Sequence, residues 1–126
     1  MNLVGTYHLK YYIHASHAIR WGNGEGDEHA HSWEIAVEFR STNENMIVFD
    51  KIESSLDDLF KAYSGKFLNT VEPFTTIDPT LENITKFFFT LVEKQILPMH
   101  AQLNKIELGE SPMRFYYVTR DDMSGE

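Results

Sequence analysis

The chain has 126 residues, no cysteine, and 11 Lys and Arg against 19 Asp and Glu, which gives a formal net charge of -8. The negative charge disfavours nucleic acid as a partner, and the lack of Cys excludes disulfides, thiolate metal ligands and a cysteine nucleophile. No apolar run approaches the roughly 18 to 20 residues that span a bilayer, and no leader pattern is present, so we expect one soluble, cytoplasmic domain over residues 1–120, followed by a disordered tail at 121–126.

The first half of the chain begins with two predicted strands. Leu3 to Ile13 is rich in Tyr, Val and Ile, and Ser32 to Arg40 alternates apolar residues on one face, as strands do. Between them, Trp21 to Glu28 contains three glycines and several acidic residues, a composition typical of a loop. We therefore expect the two strands to pair antiparallel.

A first helix is predicted after a short strand at Met46 to Phe49. Asp50 can cap this helix, because an aspartate side chain accepts hydrogen bonds from the free N–H groups of a first turn. The apolar residues that follow recur at helical spacing, and the helix should stop near Gly65.

A second helix is predicted with Asp78 as its cap and Pro79 in its first turn, ending near Ile96. Two more strands follow, at Leu103 to Leu108 and Met113 to Thr119, joined by a short turn. The element order is thus two strands, two helices and two strands. It indicates an α+β fold in which an antiparallel sheet carries both helices on one face.

Three histidines form a candidate metal site. His29 and His31 are two residues apart at the start of a strand, so their side chains project on the same face. His17 follows the first strand and can supply a third ligand if the two strands pair. Three imidazoles with a vacant fourth position are typical of catalytic zinc. The spacing alone leaves a second interpretation open, in which this pair is simply partly exposed.

A set of motifs in a fixed order resembles a known family. The motifs are Tyr12-Ile-His-Ala-Ser-His17-Ala-Ile-Arg20, His29-Ala-His31, Ile47-Val-Phe-Asp50, Lys66-Phe-Leu-Asn69, Asp78-Pro-Thr-Leu-Glu-Asn83 and Leu108-Gly-Glu110-Ser111. Their order and spacing are similar, across nearly the whole chain, to those of the 6-pyruvoyltetrahydropterin synthase and 6-carboxytetrahydropterin synthase family.

The resemblance implies a fold, an assembly and a site. It implies the tunnelling fold, in which ββααββ subunits join their sheets into a barrel of three subunits and two trimers stack into a homohexamer. It implies that His17, His29 and His31 bind Zn²⁺, and that Glu110 binds a pterin substrate. A carboxylate suits that role because it can accept paired hydrogen bonds from the 2-amino group and ring N–H of a pterin.

The sequence departs from the family pattern at the position of a catalytic cysteine, where it has Glu25, four residues before His29. Members with glutamate here resemble a branch that cleaves the side chain of dihydroneopterin triphosphate to give 6-hydroxymethyldihydropterin. Glu25 is therefore the candidate catalytic base, since a carboxylate can take a proton from a zinc-bound hydroxyl. Asp27 or Glu28 could align instead, and Glu25 could also be an ordinary solvated loop residue.

A second departure affects the expected acid. The family's Asp-His pair, just before the Lys-x-Leu-Asn segment, is replaced by Ser64-Gly65, and neither residue can act as an imidazolium does. His14 or His100 could substitute if the fold brings one of them to the metal.

Two exposed cations are further candidates, because Arg20 and Lys66 could meet phosphate oxygens of a substrate. Each could equally be an ordinary solvated side chain.

Taken together, the motifs predict a zinc-dependent lyase that acts on the side chain of 7,8-dihydroneopterin triphosphate or a close relative. One alternative is a non-catalytic zinc- and pterin-binding protein, and the other is the glutamate-dependent variant that gives 6-hydroxymethyldihydropterin. The missing Asp-His pair favours the non-catalytic alternative unless other groups converge on the metal. Whether the pathway is of the queuosine, folate or biopterin type stays open.

Overall fold

The computed structural model describes residues 5–42 and 47–125. The strands are β1 (Tyr7–His17), β2 (Arg20–Trp21), β3 (Gly24–Glu25), β4 (His29–Ser41), β5 (Lys66–Phe67), β6 (Ala101–Ser111) and β7 (Arg114–Thr119). The helices are α1 (Phe49–Lys61), α2 (Leu81–Ile96) and the one-turn α3 (Arg120–Met123), with 3-10 turns at Leu68–Thr70 and Leu97–Met99.

Five of these strands form one sheet in the order β5-β1-β4-β6-β7. The four long strands pair antiparallel, and β5 adds a two-residue parallel pairing to the end of β1. The α+β class and the main order of two strands, two helices and two strands are therefore confirmed. The structure adds β5, the separate hairpin of β2 and β3, and α3.

The pairing of β1 with β4 decides which side chains share a face. Its register runs without a break from Tyr7 opposite Phe39 to His17 opposite His29. Side chains alternate between the faces of a strand, so the odd-numbered residues of both strands point the same way. That face includes the buried Trp33, Ile35 and Val37 in its centre and the three candidate metal ligands at one end.

Both long helices cover this face of the sheet. α1 contacts β1, and α2 contacts β6 and β7. α1 buries Ile52, Leu56 and Phe60, at the spacing of one helix face. The core includes, among other residues that are almost fully buried, Ile13, Trp33, Phe39, Phe60, Phe88, Phe89, Ile96, Leu103, Ile106 and Leu108. Burying each such side chain contributes about 1.5–3 kcal/mol, which holds the sheet and helices together.

The opposite face of the sheet has no helix on it within the described residues, and it is polar. Glu38 contacts both His8, at 3.1 Å, and Lys105, at 4.0 Å. Lys10 lies 3.5 Å from Glu34 on the same face. The Nζ atom of Lys105 also lies 4.3 Å from the centre of the Tyr117 ring. Charged side chains thus bridge neighbouring strands where the core does not cover them.

The boundaries of the predicted strands need correction. β1 continues to His17, beyond the predicted end at Ile13, and β4 begins at His29. The predicted loop at Trp21 to Glu28 contains the β2–β3 hairpin. β6 continues to Ser111, into the predicted turn. Polar residues end the apolar alternation at these places, while the backbone stays paired. Leu3 and Val4, at the start of the first predicted strand, lie outside the described residues.

The predicted helix caps also need correction. Phe49 begins α1, Val48 is its N-cap and Asp50 lies inside the first turn; Met46, in the predicted short strand, lies outside the described residues. α1 ends at Lys61, before Gly65.

In α2 the cap is Thr80, not Asp78, because the extended backbone of Thr80 (ψ 160°) delays the helix to Leu81. The predicted disordered tail starts with α3, whose cap Thr119 exchanges hydrogen bonds with Asp122. Within residues 5–42 and 47–125, no helix has the length and apolar character needed to cross a membrane.

Candidate functional site

His17 is fixed at the end of β1 with one ring nitrogen engaged. Its Nδ1 atom lies 2.7 Å from the carbonyl oxygen of Pro79, and the residue is 4% exposed. A carbonyl can only accept, so Nδ1 carries a proton, and in the neutral form of the ring Nε2 has the lone pair. Nε2 lies 3.9 Å from Oε2 of Glu110, which brings a second candidate site residue close to the ring.

Three potential ligand atoms converge at this point. His17, His31 and Glu110 each offer one atom within 4.8 Å of the others, a grouping found among the described residues. The ring centres of His17 and His31 lie 5.1 Å apart. Two imidazoles bound to one tetrahedral zinc ion would place their ring centres about 5 Å apart, given the usual Zn–N distances. The donor set therefore fits a divalent metal such as zinc.

His29 does not join this group in the structure. Its ring centre lies 6.5 Å from that of His31, although its Cα is paired with that of His17. The residue is exposed, so its side chain is not held in place by packing. A modest movement of the ring would be needed before all three imidazoles could share one ion.

His31 has a chemical environment suited to a ligand. Burial lowers its pKa below the usual value, nearby His17 lowers the pKa further, and Glu110 opposes the shift. The imidazole is thereby kept neutral near neutral pH. A neutral imidazole is the form that binds a metal ion.

Glu110 lies at the end of β6 on the same face as the histidines, because side chains alternate along a strand and Leu108, two residues earlier, is buried in the core. Its side chain is only 11% exposed. Arg114 donates from Nη1 to Oε1 of Glu110 at 2.8 Å. The carboxylate is therefore partnered by a cation on one oxygen and faces His17 with the other.

These residues line a cavity of about 530 Å³ beside the start of α2. Its lining comprises His17, Ile19, His29, His31, Thr80, Leu81, Glu82, Glu110 and Arg114. The volume is in the range of small-molecule pockets, and polar groups of both charges converge on it.

Glu25 lies outside the lining of this cavity, in the β2–β3 hairpin. Its Oε2 accepts a hydrogen bond from Asn69 Nδ2 at 3.0 Å and lies 3.3 Å from Nε of Arg20. Of the alternative acids, Glu28 accepts a 2.5 Å hydrogen bond from Ser16, and Asp27 is exposed. Glu25 is thus part of a hydrogen-bonded network next to the end of β1.

The candidate substitutes for the missing acid lie elsewhere. His14 is on the polar face of the sheet, where its Nδ1 lies 2.9 Å from Ser32 Oγ. His100 is exposed after α2, with a left-handed backbone (φ 62°). Ser64 accepts a hydrogen bond from the His14 N–H at 3.2 Å, and Gly65 has φ 80°. Neither histidine lines the cavity of about 530 Å³ beside the start of α2.

Arg20 and Lys66 do not line the cavity beside the histidines. Arg20 donates to the carbonyl oxygens of Ile77 and Asn69, at 3.3 and 3.2 Å, so its guanidinium is engaged within the chain. Lys66 lines a second cavity of about 510 Å³ that also includes Ser16, Glu28 and His31, so the two cavities share His31.

Sequence reasoning missed two contributors to the site. One is the Pro79 carbonyl, for which no side-chain signal exists; the other is Arg114, which lies four residues after Glu110.

Comparison with known proteins gives one family. A family model described as 6-pyruvoyl tetrahydropterin synthase matches residues 7–121. The Caenorhabditis elegans 6-pyruvoyl tetrahydropterin synthase superposes with a TM-score of 0.78 at 18% identity, covering 93% of this chain and 96% of that one. A search of curated proteins found no match.

Two further solved structures share the fold. An uncharacterised protein from Wolinella succinogenes has a TM-score of 0.74 at 12% identity, over 94% of this chain and 99% of that one. A Plasmodium vivax 6-pyruvoyltetrahydropterin synthase, in a variant whose catalytic glutamate is replaced by alanine, has a TM-score of 0.73 at 13% identity, over 94% and 99%. The subunit fold expected for the tunnelling fold is confirmed.

Proposed function

The chain belongs to the 6-pyruvoyl tetrahydropterin synthase family, and from this membership we propose that it is a zinc-dependent enzyme that eliminates or cleaves the side chain of 7,8-dihydroneopterin triphosphate or a close relative. The observation that carries the proposal is the convergence of His17, His31 and Glu110 at one end of a cavity of small-molecule size. Family membership supports the pterin as substrate, and the donor set supports the metal.

We assign His17 and His31 to the metal as two fixed ligands and His29 as the third, after movement of its exposed ring. When bound, zinc supplies a Lewis acid that lowers the pKa of coordinated hydroxyl groups. The Pro79 carbonyl holds His17 in the tautomer that leaves Nε2 free, as neighbouring hydrogen bonds do for metal-binding histidines.

Glu110 is proposed to bind the pterin ring rather than the metal. Its two oxygens can accept from the 2-amino group and the ring N–H together. One of those oxygens accepts from Arg114, which is 72% exposed at its side chain and can swing away towards solvent. Ring binding therefore requires the release of Arg114 from Glu110.

Glu25 is proposed as the group that moves the proton. The Plasmodium vivax relative has a glutamate as a catalytic residue, which supports a carboxylate in this role. The cleavage that leaves 6-hydroxymethyldihydropterin is the variant of the reaction that this choice favours.

The decisive experiment is incubation of the zinc-loaded protein with dihydroneopterin triphosphate, with products identified by mass. Glu25→Gln should abolish product formation and leave zinc content intact, because the amide keeps the shape but cannot accept a proton. Asp27→Asn is the matched control, since it removes the same charge from an exposed position nearby. Turnover by Glu25→Gln at the wild-type rate would remove Glu25 from the mechanism.

A second experiment separates the two roles open to Glu110. Metal analysis of His17→Ala and His31→Ala should show loss of zinc, and His29→Ala should show weaker binding. Glu110→Gln should keep its zinc and bind pterin less well if Glu110 anchors the ring. Loss of zinc from Glu110→Gln, with retention in His29→Ala, would instead make the carboxylate the third ligand.

The competing candidate is a non-catalytic protein that binds zinc and a pterin. Ser64 and Gly65 favour it, because Ser64 is engaged with the His14 backbone and neither residue offers a proton near neutral pH. Tight pterin binding without any product from the wild-type protein would support this candidate.

A further inference from the structure

The two oxygens of the Glu25 carboxylate have different surroundings. Oε2 accepts from Asn69 Nδ2 at 3.0 Å and lies 3.3 Å from Nε of Arg20. In the part of the chain that the structure describes, Oε1 accepts no hydrogen bond. One oxygen of the carboxylate is therefore fixed by the protein, and the other is left available to accept a proton.

Asn69 makes this fixed contact from a buried position. The residue is 6% exposed, and its Oδ1 accepts from the Ala18 N–H at 2.9 Å. Its Nδ2 donates to the Ala18 carbonyl at 2.8 Å and to Glu25. Because the Ala18 N–H can only donate and its carbonyl can only accept, these contacts fix the orientation of the amide. Both amide protons of Asn69 are thereby used.

Ala18 directly follows His17, so the amide joins two parts of the site. On one side it holds the backbone next to a proposed metal ligand, and on the other it holds the proposed base. The hairpin that carries Glu25 is rich in glycine, with Gly22 at φ 47°. Glycine-rich backbone has many accessible conformations, so the position of Glu25 depends on such contacts.

We propose that Asn69 is a positioning residue: it holds Oε2 of Glu25 and so presents Oε1 at the end of β1 that carries His17. This inference rests on the proposed role of Glu25 as the base. Asn69 does not touch the reacting atoms, and acts by limiting the conformations of the glutamate. A misplaced catalytic group can lower a rate by about 10²-fold.

The test uses Asn69→Asp in the zinc-loaded protein. The substitution keeps an oxygen for the Ala18 N–H, removes both donated hydrogen bonds, and places a second carboxylate next to Glu25. We expect kcat with dihydroneopterin triphosphate to fall by about 10²-fold, while KM and zinc content stay near the wild-type values. Asn83→Asp is the matched control, since Asn83 also donates to a backbone carbonyl, that of Asp78 at 3.0 Å, and should keep its kcat.

Two further variants make the result decisive. Asn69→Ser replaces Asn69→Asp if the latter does not fold, and it should show the same loss of kcat. The double variant Glu25→Gln with Asn69→Asp completes a double-mutant cycle on the free energy of unfolding, because two residues in contact should not have additive effects. Urea unfolding of the same set should show non-additive changes in stability, a readout that needs no turnover.

The outcomes separate this inference from the proposed function. Normal turnover by Glu25→Gln would contradict the proposed base itself. Loss of turnover in Glu25→Gln with normal kcat in Asn69→Asp would overturn only the positioning role. If Asn69→Asp keeps its kcat but loses zinc or has a raised KM, the positioning role is also overturned. Asn69 would then hold only the backbone at the end of β1 and would not position Glu25. If the wild-type protein shows no turnover, the unfolding data decide: additive changes in stability for Glu25→Gln and Asn69→Asp would contradict the proposed contact between the two residues.

Discussion

Tyr11 has the largest change in acidity among the side chains described, and the change affects stability at high pH. Its hydroxyl donates to the Glu53 carbonyl at 3.2 Å, and its ring packs 5.1 Å from that of Phe60. Burial first, then the charges of Glu53 and Asp57, raise its pKa from 10.0 to about 12. The phenol is thus kept protonated in the folded protein over a range in which the unfolded chain ionises.

We therefore predict that stability falls as pH rises from about 10 to about 12, because the unfolded state loses a proton there that the folded state keeps. Urea unfolding at several pH values measures the loss, and Tyr11→Phe should reduce its slope. Below about pH 9, where both states keep the proton, the difference between wild type and variant should not depend on pH. The same slope in both proteins would contradict the assignment.

Residue 109 is a glycine at a position where the Phe115 ring leaves no room for a side chain. A Cβ atom at this position would overlap the Phe115 ring, on the neighbouring strand. Gly109→Ala should therefore force the ring aside and destabilise the protein by about 1–3 kcal/mol, as other overpacked sites do. Gly5→Ala is the control, since no atom of the described residues lies within 4 Å of its added methyl group. Denaturant unfolding of both variants measures the difference, and equal stability would show that Phe115 moves without cost.

At this scale the sequence predicted residue types better than residue contacts. The face shared by His17 and His31 follows from strand alternation, so the pair could be expected. The place of Glu110 beside them depends on the β4–β6 register, which the sequence does not define. The contacts of Glu25 could not be predicted, because they depend on how Asn69 folds back onto Ala18.

Among the elements, α2 determines one wall of the cavity through its first turn. Thr80 Oγ1 accepts from the Asn83 N–H at 3.1 Å and satisfies one of the free donors of the helix start. Thr80→Ala should lower the free energy of unfolding by about 1 kcal/mol, whereas Thr80→Ser should keep most of it. Thermal or urea unfolding tests the pair. An equal loss in both variants would mean that the threonine methyl, not the hydroxyl, is the stabilising group.

The elements were predicted well in their interiors and poorly at their ends. The apolar spacing of the two helices and of β4 gives their existence and type, because the core requires that spacing. The ends depend on backbone details such as the extended conformation of Thr80, which delays α2 past Asp78 and Pro79. In the same way, the polar residues at the end of β1 break the apolar pattern, so the sequence does not show that the strand continues to His17.

Considered as a whole, the molecule has two strand edges that the described residues leave largely uncovered. β5 pairs with only Ala15 and Ser16 of β1, and β7 ends the sheet on the other side. Tyr12 on β1 is 63% exposed, and Tyr117 on β7 is 52% exposed. Uncovered edges of this kind pair readily with other strands.

We predict that copies of the chain close these edges by joining β1 of one to β7 of the next, forming a homohexamer of two trimers. Light scattering at micromolar concentration measures the mass, which should correspond to the hexamer. Tyr117→Lys should weaken the assembly, because it places a charge on the edge strand. A monomer in both proteins would contradict the assembly. The cytoplasmic location expected from the sequence stays a prediction.

The unbroken register of β1 against β4 has a consequence for how the chain tolerates change. A slip of one residue would turn His29 and His31 to the face opposite His17, and would move Trp33 and Ile35 out of the core at the same time. Misaligned chains would therefore lose the ligand set and the hydrophobic stabilisation together. An insertion of a single residue within β4 should consequently be among the least tolerated changes in this protein, even where it lies far from the cavity.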